Sequence, residues 1–127
     1  MRRSGLRDFR KLKVWERGYR LTLEVYEVTA AFPTEELYGL TSQMRRACAA
    51  IPANVAEGCG RRSNADLARF LQMALGSTSE LENHLLLARD LRILQPADHK
   101  RLSEEVVELR RMLAAFVKRL KTFAKNP

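Results

Sequence analysis

The chain has 127 residues, enough for one domain with a core of its own. It is 46% hydrophobic and 30% charged, and the formal net charge is +8. No apolar run nears the roughly 20 residues that a membrane span needs, and the basic N-terminus has no apolar segment of a secretory signal behind it. Two cysteines, Cys48 and Cys59, do not make a disulfide framework or a zinc site, and read as buried, reduced thiols of a cytoplasmic protein.

Residues 1–8 read as a basic tail. A first helix is expected over 9–31. Leu12, Trp15, Tyr19, Leu23, Tyr26 and Ala30 make one apolar stripe on it, and Val14, Gly18, Leu21, Val25, Val28 and Phe32 make a second. Two stripes exceed what one bundle core requires, which leaves surface for contacts between subunits. Phe32-Pro33 ends the helix, because a residue before proline avoids the helical region. Thr34-Glu35-Glu36 opens the next segment, and Gly39 interrupts it.

The second helix is expected over 40–59. Met44, Ala47, Cys48, Ile51 and Val55 recur at helical spacing as a buried stripe. Pro52 falls inside it and is expected to kink it. Gln43, Arg46, Asn54 and Glu57 are expected to form a structural polar cluster, since buried polar groups need partners. Gly58 and Gly60 are expected to end the helix through the left-handed conformation.

A third helix follows over 63–94, capped by Ser63. Its core stripe is Leu67, Phe70, Leu71, Ala74, Thr78, Leu81, Leu85, Ala88 and Leu91. Gly76 in its middle implies a close helix crossing. The fourth covers 96–125, with Pro96 at its first position and a heptad seam of Leu102, Val106, Leu109, Leu113, Phe116, Leu120 and Phe123. The pattern predicts an all-α protein, an up-down-up-down antiparallel four-helix bundle in one domain.

Charge is unevenly spread. Residues 1–20 carry eight basic and two acidic groups, and residues 21–39 carry four acids and no Lys or Arg. In an up-down bundle, Arg10, Lys11, Lys13, Arg61, Arg62, Arg69, Lys118, Arg119, Lys121 and Lys125 collect at one end. Glu24, Glu27, Glu35 and Glu36 collect at the other. Basic groups at the end of the fourth helix suit its dipole, whereas Arg10, Lys11 and Lys13 at the start of the first oppose it. A basic end of this kind fits nucleic acid, and a solvated surface is the plainer alternative.

The segments Phe9–Trp15, Phe32–Glu36, Tyr38–Arg46, Ile51–Gly58, Phe70-Leu71 and Ala74–Leu81 together make the sequence resemble a bacterial family. Its members were first noticed as reading frames in intervening sequences of 23S ribosomal RNA genes, and some are called S23 ribosomal proteins. Ala50 stands where many relatives have serine. The resemblance implies a ring-like homo-oligomer of four-helix bundles, a homopentamer. It also implies a distant likeness to the accessory protein of diversity-generating retroelements, which binds nucleic acid and a reverse transcriptase. It brings no catalytic residues.

Nothing in the residues themselves points to an enzyme, a metal or a cofactor. His84 and His99 lack the spaced partners of a helical metal site and read as solvated or hydrogen-bonded. Gly58-Cys59-Gly60 has no Lys-Ser/Thr after it and ends a helix where a phosphate loop would start one. Arg45-Arg46 is open between phosphate, Glu57 and a neighbouring subunit. The leading expectation is a non-enzymatic oligomeric bundle that binds nucleic acid, RNA favoured, by neutralising phosphate at a basic rim. The alternative is a protein–protein adaptor that docks a polypeptide such as a polymerase.

Overall fold

The first apolar helix begins four residues later than its pattern suggests. In the computed structural model, which describes residues 8–125 and side chains as far as residue 122, Phe9–Lys11 form a 3-10 turn and α1 runs Lys13–Thr29. The expected basic tail over residues 1–7 lies outside the described residues. Leu12 separates the turn from α1 in an extended conformation, φ −88° and ψ 131°. The Asp8 carboxylate closes the turn by accepting from the Arg10 N–H at 3.1 Å. The Arg10 guanidinium also bonds it and holds its carboxyl below the usual range. Arg10 and Lys11 therefore precede α1, and only Lys13 sits at the unfavourable end of its dipole.

Helix α1 buries the second of its two stripes: Val14, Gly18, Leu21 and Val25. Tyr19, Leu23 and Tyr26 of the first stripe remain 47%, 56% and 45% exposed. A single apolar core can cover only one face of a helix, and the β-branched and small residues pack closest.

The chain then passes through a 3-10 turn, Thr34–Glu36, and a π-turn, Leu37–Thr41, into α2, Ser42–Cys59. Gly39 leaves the helical region there, as expected. Pro52 is buried inside α2. Gly18 of α1 lies against it: a Cβ at position 18 would stand 3.3 Å from Ile51 Cγ2 and 3.4 Å from Pro52 Cδ. One turn along, the Thr22 hydroxyl donates to the Gly18 carbonyl at 2.8 Å and also lies 3.3 Å from that of Cys48. Burial pushes the Cys48 thiol up to about 12.

Gly58 and Gly60 do not work as left-handed caps. No described glycine has a positive φ. Gly58 is buried within α2, where a Cβ would stand 2.8 Å from Leu67 Cδ1 and 3.0 Å from Phe70 Cβ. It is there so that α3 can lie close. Gly60 ends α2 in the right-handed region.

Helix α3 spans Asn64–Asp90 and starts as expected, with the Asp66 N–H donating to Ser63 Oγ at 3.0 Å. It stops four residues short of Leu94 because Arg92 turns left-handed, φ 62°. The Ile93 and Leu94 N–H groups then both donate to the Ala88 carbonyl, at 2.9 and 3.0 Å. An L-residue with a Cβ is strained there, by roughly 1 kcal/mol relative to glycine. Arg92→Gly should therefore raise the thermal midpoint by about 2–5 °C, read by circular dichroism.

Helix α4 runs Pro96–Lys125, as expected. Its buried seam is Leu102, Val106, Leu109, Leu113, Val117 and Leu120. Val117 takes the place expected of Phe116, which is half-buried; Phe123 lies outside the described side chains. Helices α2 and α4 each pack against both α1 and α3 around one apolar core. Gly76 meets no close crossing within this bundle, since a Cβ there would find nothing within 4 Å.

Candidate nucleic-acid interface

The last described turns of α4 carry Lys118, Arg119 and Lys121 on exposed positions, because Val117 and Leu120 take the inward ones. The three cations spread to both sides of the helix. Arg119 shares a groove with Lys11, Lys13, Met112 and Phe116, where the start of α1 meets α4. On the other side, Lys118 and Lys121 line a groove with Gln72 and Leu75 of α3. Lys121 also reaches a smaller one beside Asn64, Ala68 and Arg69. The expected basic residues of α1, α3 and α4 do come together.

Their electrostatic states differ. Arg10 pairs with Asp8 at 3.1 Å, Arg61 with Glu57 at 2.9 Å and Arg69 with Asp66 at 3.7 Å. Lys11, Lys13, Lys118, Arg119 and Lys121 have no carboxylate within ion-pair distance among the described residues, although Lys11 adds its charge to the field that holds the Asp8 carboxyl down. Arg62 is exposed, and the Lys125 side chain lies outside the described residues.

Arg61 and Arg69 form a feature that the sequence did not announce. Their guanidinium carbons lie 4.7 and 4.6 Å from the Phe70 ring centroid. Phe70 is itself buried, so one aromatic ring fixes two cations at the α2–α3 turn. The carboxylates of Glu57 and Asp66, four and three residues earlier in the chain, set their reach.

The expected polar cluster does not form. Gln43, Arg46 and Glu57 are exposed, Glu57 pairs with Arg61, and the Asn54 amide donates to its own helix at Ala50 O, 2.9 Å. These residues share one face of α2, but it points to solvent, so they need no mutual satisfaction. Arg45 is instead the residue that ties α2 to α1. Its Nε donates to Thr29 Oγ1 at 2.8 Å, and its guanidinium lies 4.5 Å from the Tyr26 ring centroid. His84 is neither solvated nor hydrogen-bonded. It is 8% exposed, neither ring nitrogen has a hydrogen bond, and Glu80 Oε2 stands 3.5 Å from Nε2.

Among the described residues no helix is long and apolar enough to cross a membrane. Residues 10–115 match the family model for the 23S rRNA-intervening sequence protein. A solved structure is similar too, that of a protein with unknown function from the S23 ribosomal protein family of Bacteroides thetaiotaomicron VPI-5482. It superposes with a TM-score of 0.75 at 19% sequence identity, over 83% of this chain and 98% of that one. That likeness establishes the fold. No curated protein matches the chain.

Proposed function

The chain belongs to the 23S rRNA-intervening sequence protein family, and from that premise we propose that it binds nucleic acid, RNA in preference, at its basic rim. Binding is non-enzymatic and electrostatic, in the cytoplasm. The observation that carries this reading is the group of cations left without carboxylate partners. Lys11, Lys13, Lys118, Arg119 and Lys121 line adjoining grooves around the end of α4. Elsewhere on the bundle Arg17, Arg101 and Arg110 are matched to Glu105, Glu24 and Glu82, and other cations with no ion pair among the described residues, such as Arg20, Arg46, Arg92 and Lys100, lie on four different segments of the chain. A site that leaves its cations unmatched keeps them available to phosphate, and releases counterions when phosphate binds.

The four helices alternate up-down-up-down in this reading. The pairs Arg17–Glu105 and Glu24–Arg101 support it, because they run in opposite senses along α1 and α4. Gly18 against Ile51, with Thr22 against Cys48, does the same for α1 and α2. The bundles assemble into a ring-like homo-oligomer, the homopentamer that the resemblance implies. In a ring of parallel subunits the basic ends would share one mouth and their fields would add.

The test is fluorescence-anisotropy titration with structured RNA, single-stranded DNA and duplex DNA over a salt series. Each phosphate neutralised adds about 0.7–0.9 to the slope of log K against log salt. A slope of about 4 or more, with RNA bound tightest, is the expected result. No binding at low salt would leave the positive charge as solvated surface and make protein docking the role to pursue.

A further inference from the structure

The turn ahead of α1 does more than delay that helix. In one continuous helix, residues 11 and 13 would lie about 200° apart around the axis, on opposite faces. The extended Leu12 between them removes that constraint, and Lys11 and Lys13 line the same groove against α4. Arg119 lines it from the α4 side, and no carboxylate among the described residues does so. Three cations thus border one cleft.

Between the cations the lining is apolar. It includes Leu12, Met112 and the half-buried Phe116, and the groove measures about 400 Å³, within the roughly 300–1,000 Å³ of sites that hold small molecules. The Arg119 guanidinium lies 5.3 Å from the Phe116 ring centroid, so a cation and an aromatic side chain border the same space. An apolar lining edged by cations selects a ligand with two characters, a flat apolar part and an anion beside it. A paired RNA helix offers only the anion, because its bases are stacked on one another and its backbone faces outward. A nucleotide with an unpaired base offers both. The groove on the other side of α4 differs: Lys118 and Lys121 line it with Gln72 and Leu75, and no aromatic side chain does. That one suits backbone phosphate alone.

We infer that the groove between Lys11 and Arg119 takes an unpaired RNA base, which lies against Phe116 and Met112 while the flanking phosphates meet Lys11, Lys13 and Arg119. This inference rests on the RNA-binding reading above and deepens it. The rim gives affinity for any RNA, and this groove makes loops, bulges and single-stranded ends the preferred class. One base stacked on an aromatic side chain is enough to set a preference of about tenfold. The groove reads no particular base, because every base has a flat face to stack.

The experiment titrates the full-length protein with two RNA duplexes of equal length, one fully paired and one with a central run of mismatches, by fluorescence anisotropy over a salt series. Both carry the same number of phosphates, so rim cations alone would bind them alike. Wild type should bind the mismatched duplex about tenfold tighter, with the same salt slope for each. Phe116→Leu keeps an apolar side chain in the bundle but removes the aromatic face, and should cut the preference to about twofold or less. Phe116→Tyr keeps that face and should retain most of the preference. The fully paired duplex also reports on folding, since a variant that unfolds loses both RNAs.

Several outcomes overturn the assignment. Equal affinity of the wild type for the two duplexes, with a steep salt slope for each, would remove the base site and leave the rim as a purely electrostatic binder. A preference that survives Phe116→Leu would place the unpaired base elsewhere. No binding of either duplex at low salt would overturn the RNA reading itself. Capture of a synthetic acidic amphipathic helix in its place would then make the groove a protein-docking site.

Discussion

Replacing Lys11, Lys13, Lys118 and Lys121 together by glutamate will weaken RNA binding about a thousand-fold or more at low salt. Each lysine lost from a phosphate contact removes about 1 kcal/mol of Coulomb attraction in water. Four such losses reach a factor of about 10³, and the four new carboxylates add repulsion. The slope of log K against log salt should fall by about 3–4 at the same time. All four side chains are exposed, and none has an ion-pair partner to disturb among the described residues. The thermal midpoint and the oligomer mass should therefore stay as they are. The matching control is Arg17→Glu with Glu105→Arg, which swaps a pair already neutral at 3.3 Å. It should leave affinity within about twofold. If the rim variant binds as wild type does, the grooves around α4 are not the site.

The sequence was legible where local and tertiary signals agree. Helix α4 is an example: Pro96 is favoured at a first helical position, and the seam from Leu102 to Leu120 sets one inward face. Ser63 is another, because its hydroxyl needs only the N–H three residues on. The sequence was ambiguous where two structures share one pattern. Phe9 and Leu12 continue the apolar period of α1, yet Asp8 and Arg10 close a separate turn ahead of it. Gly58 and Gly60 resemble a helix stop, yet Gly58 is a packing glycine, and only the position of α3 reveals that. Arg92 carries no sequence signal for its left-handed backbone.

The site divides in the same way. Net charge by segment separates the basic residues 1–20 from the acidic residues 21–39, so it marks the two halves of the α1 region apart. Net charge does not predict which cations are matched. That depends on contacts such as Arg61–Glu57, and these leave Lys11, Lys13, Lys118, Arg119 and Lys121 without an ion pair around the start of α1 and the end of α4 among the described residues. The polar residues of α2 were misread for a related reason. Helical spacing alone does not say which side is buried, and Met44, Ala47, Cys48, Ile51 and Val55, with Pro52, Gly58 and Cys59, supply the buried face without them. The two apolar stripes of α1 are one more than a single core can cover, and it is Tyr19, Leu23 and Tyr26 of the first that stay exposed.

Gly58→Ala will destabilise the protein even though the same change in an open helix interior stabilises by about 1 kcal/mol. The new methyl would stand 2.8 Å from Leu67 Cδ1 and 3.0 Å from Phe70 Cβ. The Leu67 methyl can rotate away, but the Phe70 Cβ is carried by the backbone of α3. Relief therefore requires α3 to move off α2. Overpacking of this kind costs about 1–3 kcal/mol, which leaves a net loss of about 1 kcal/mol for alanine. Gly58→Val, with two more atoms in the same gap, should lose about 3 kcal/mol, a large part of the 5–15 kcal/mol typical of a domain. Chemical denaturation would measure both. Shortening the mobile neighbour tests the cause: Leu67→Ala combined with Gly58→Ala should cost less than the sum of the two, by about 1 kcal/mol. The displacement also reaches the rim. Phe70 is the ring on which Arg61 and Arg69 rest, so moving α3 displaces two cations. Gly58→Ala should weaken RNA binding a few-fold under conditions where it remains fully folded. Loss of stability with no change in affinity would show that these two arginines do not touch the RNA.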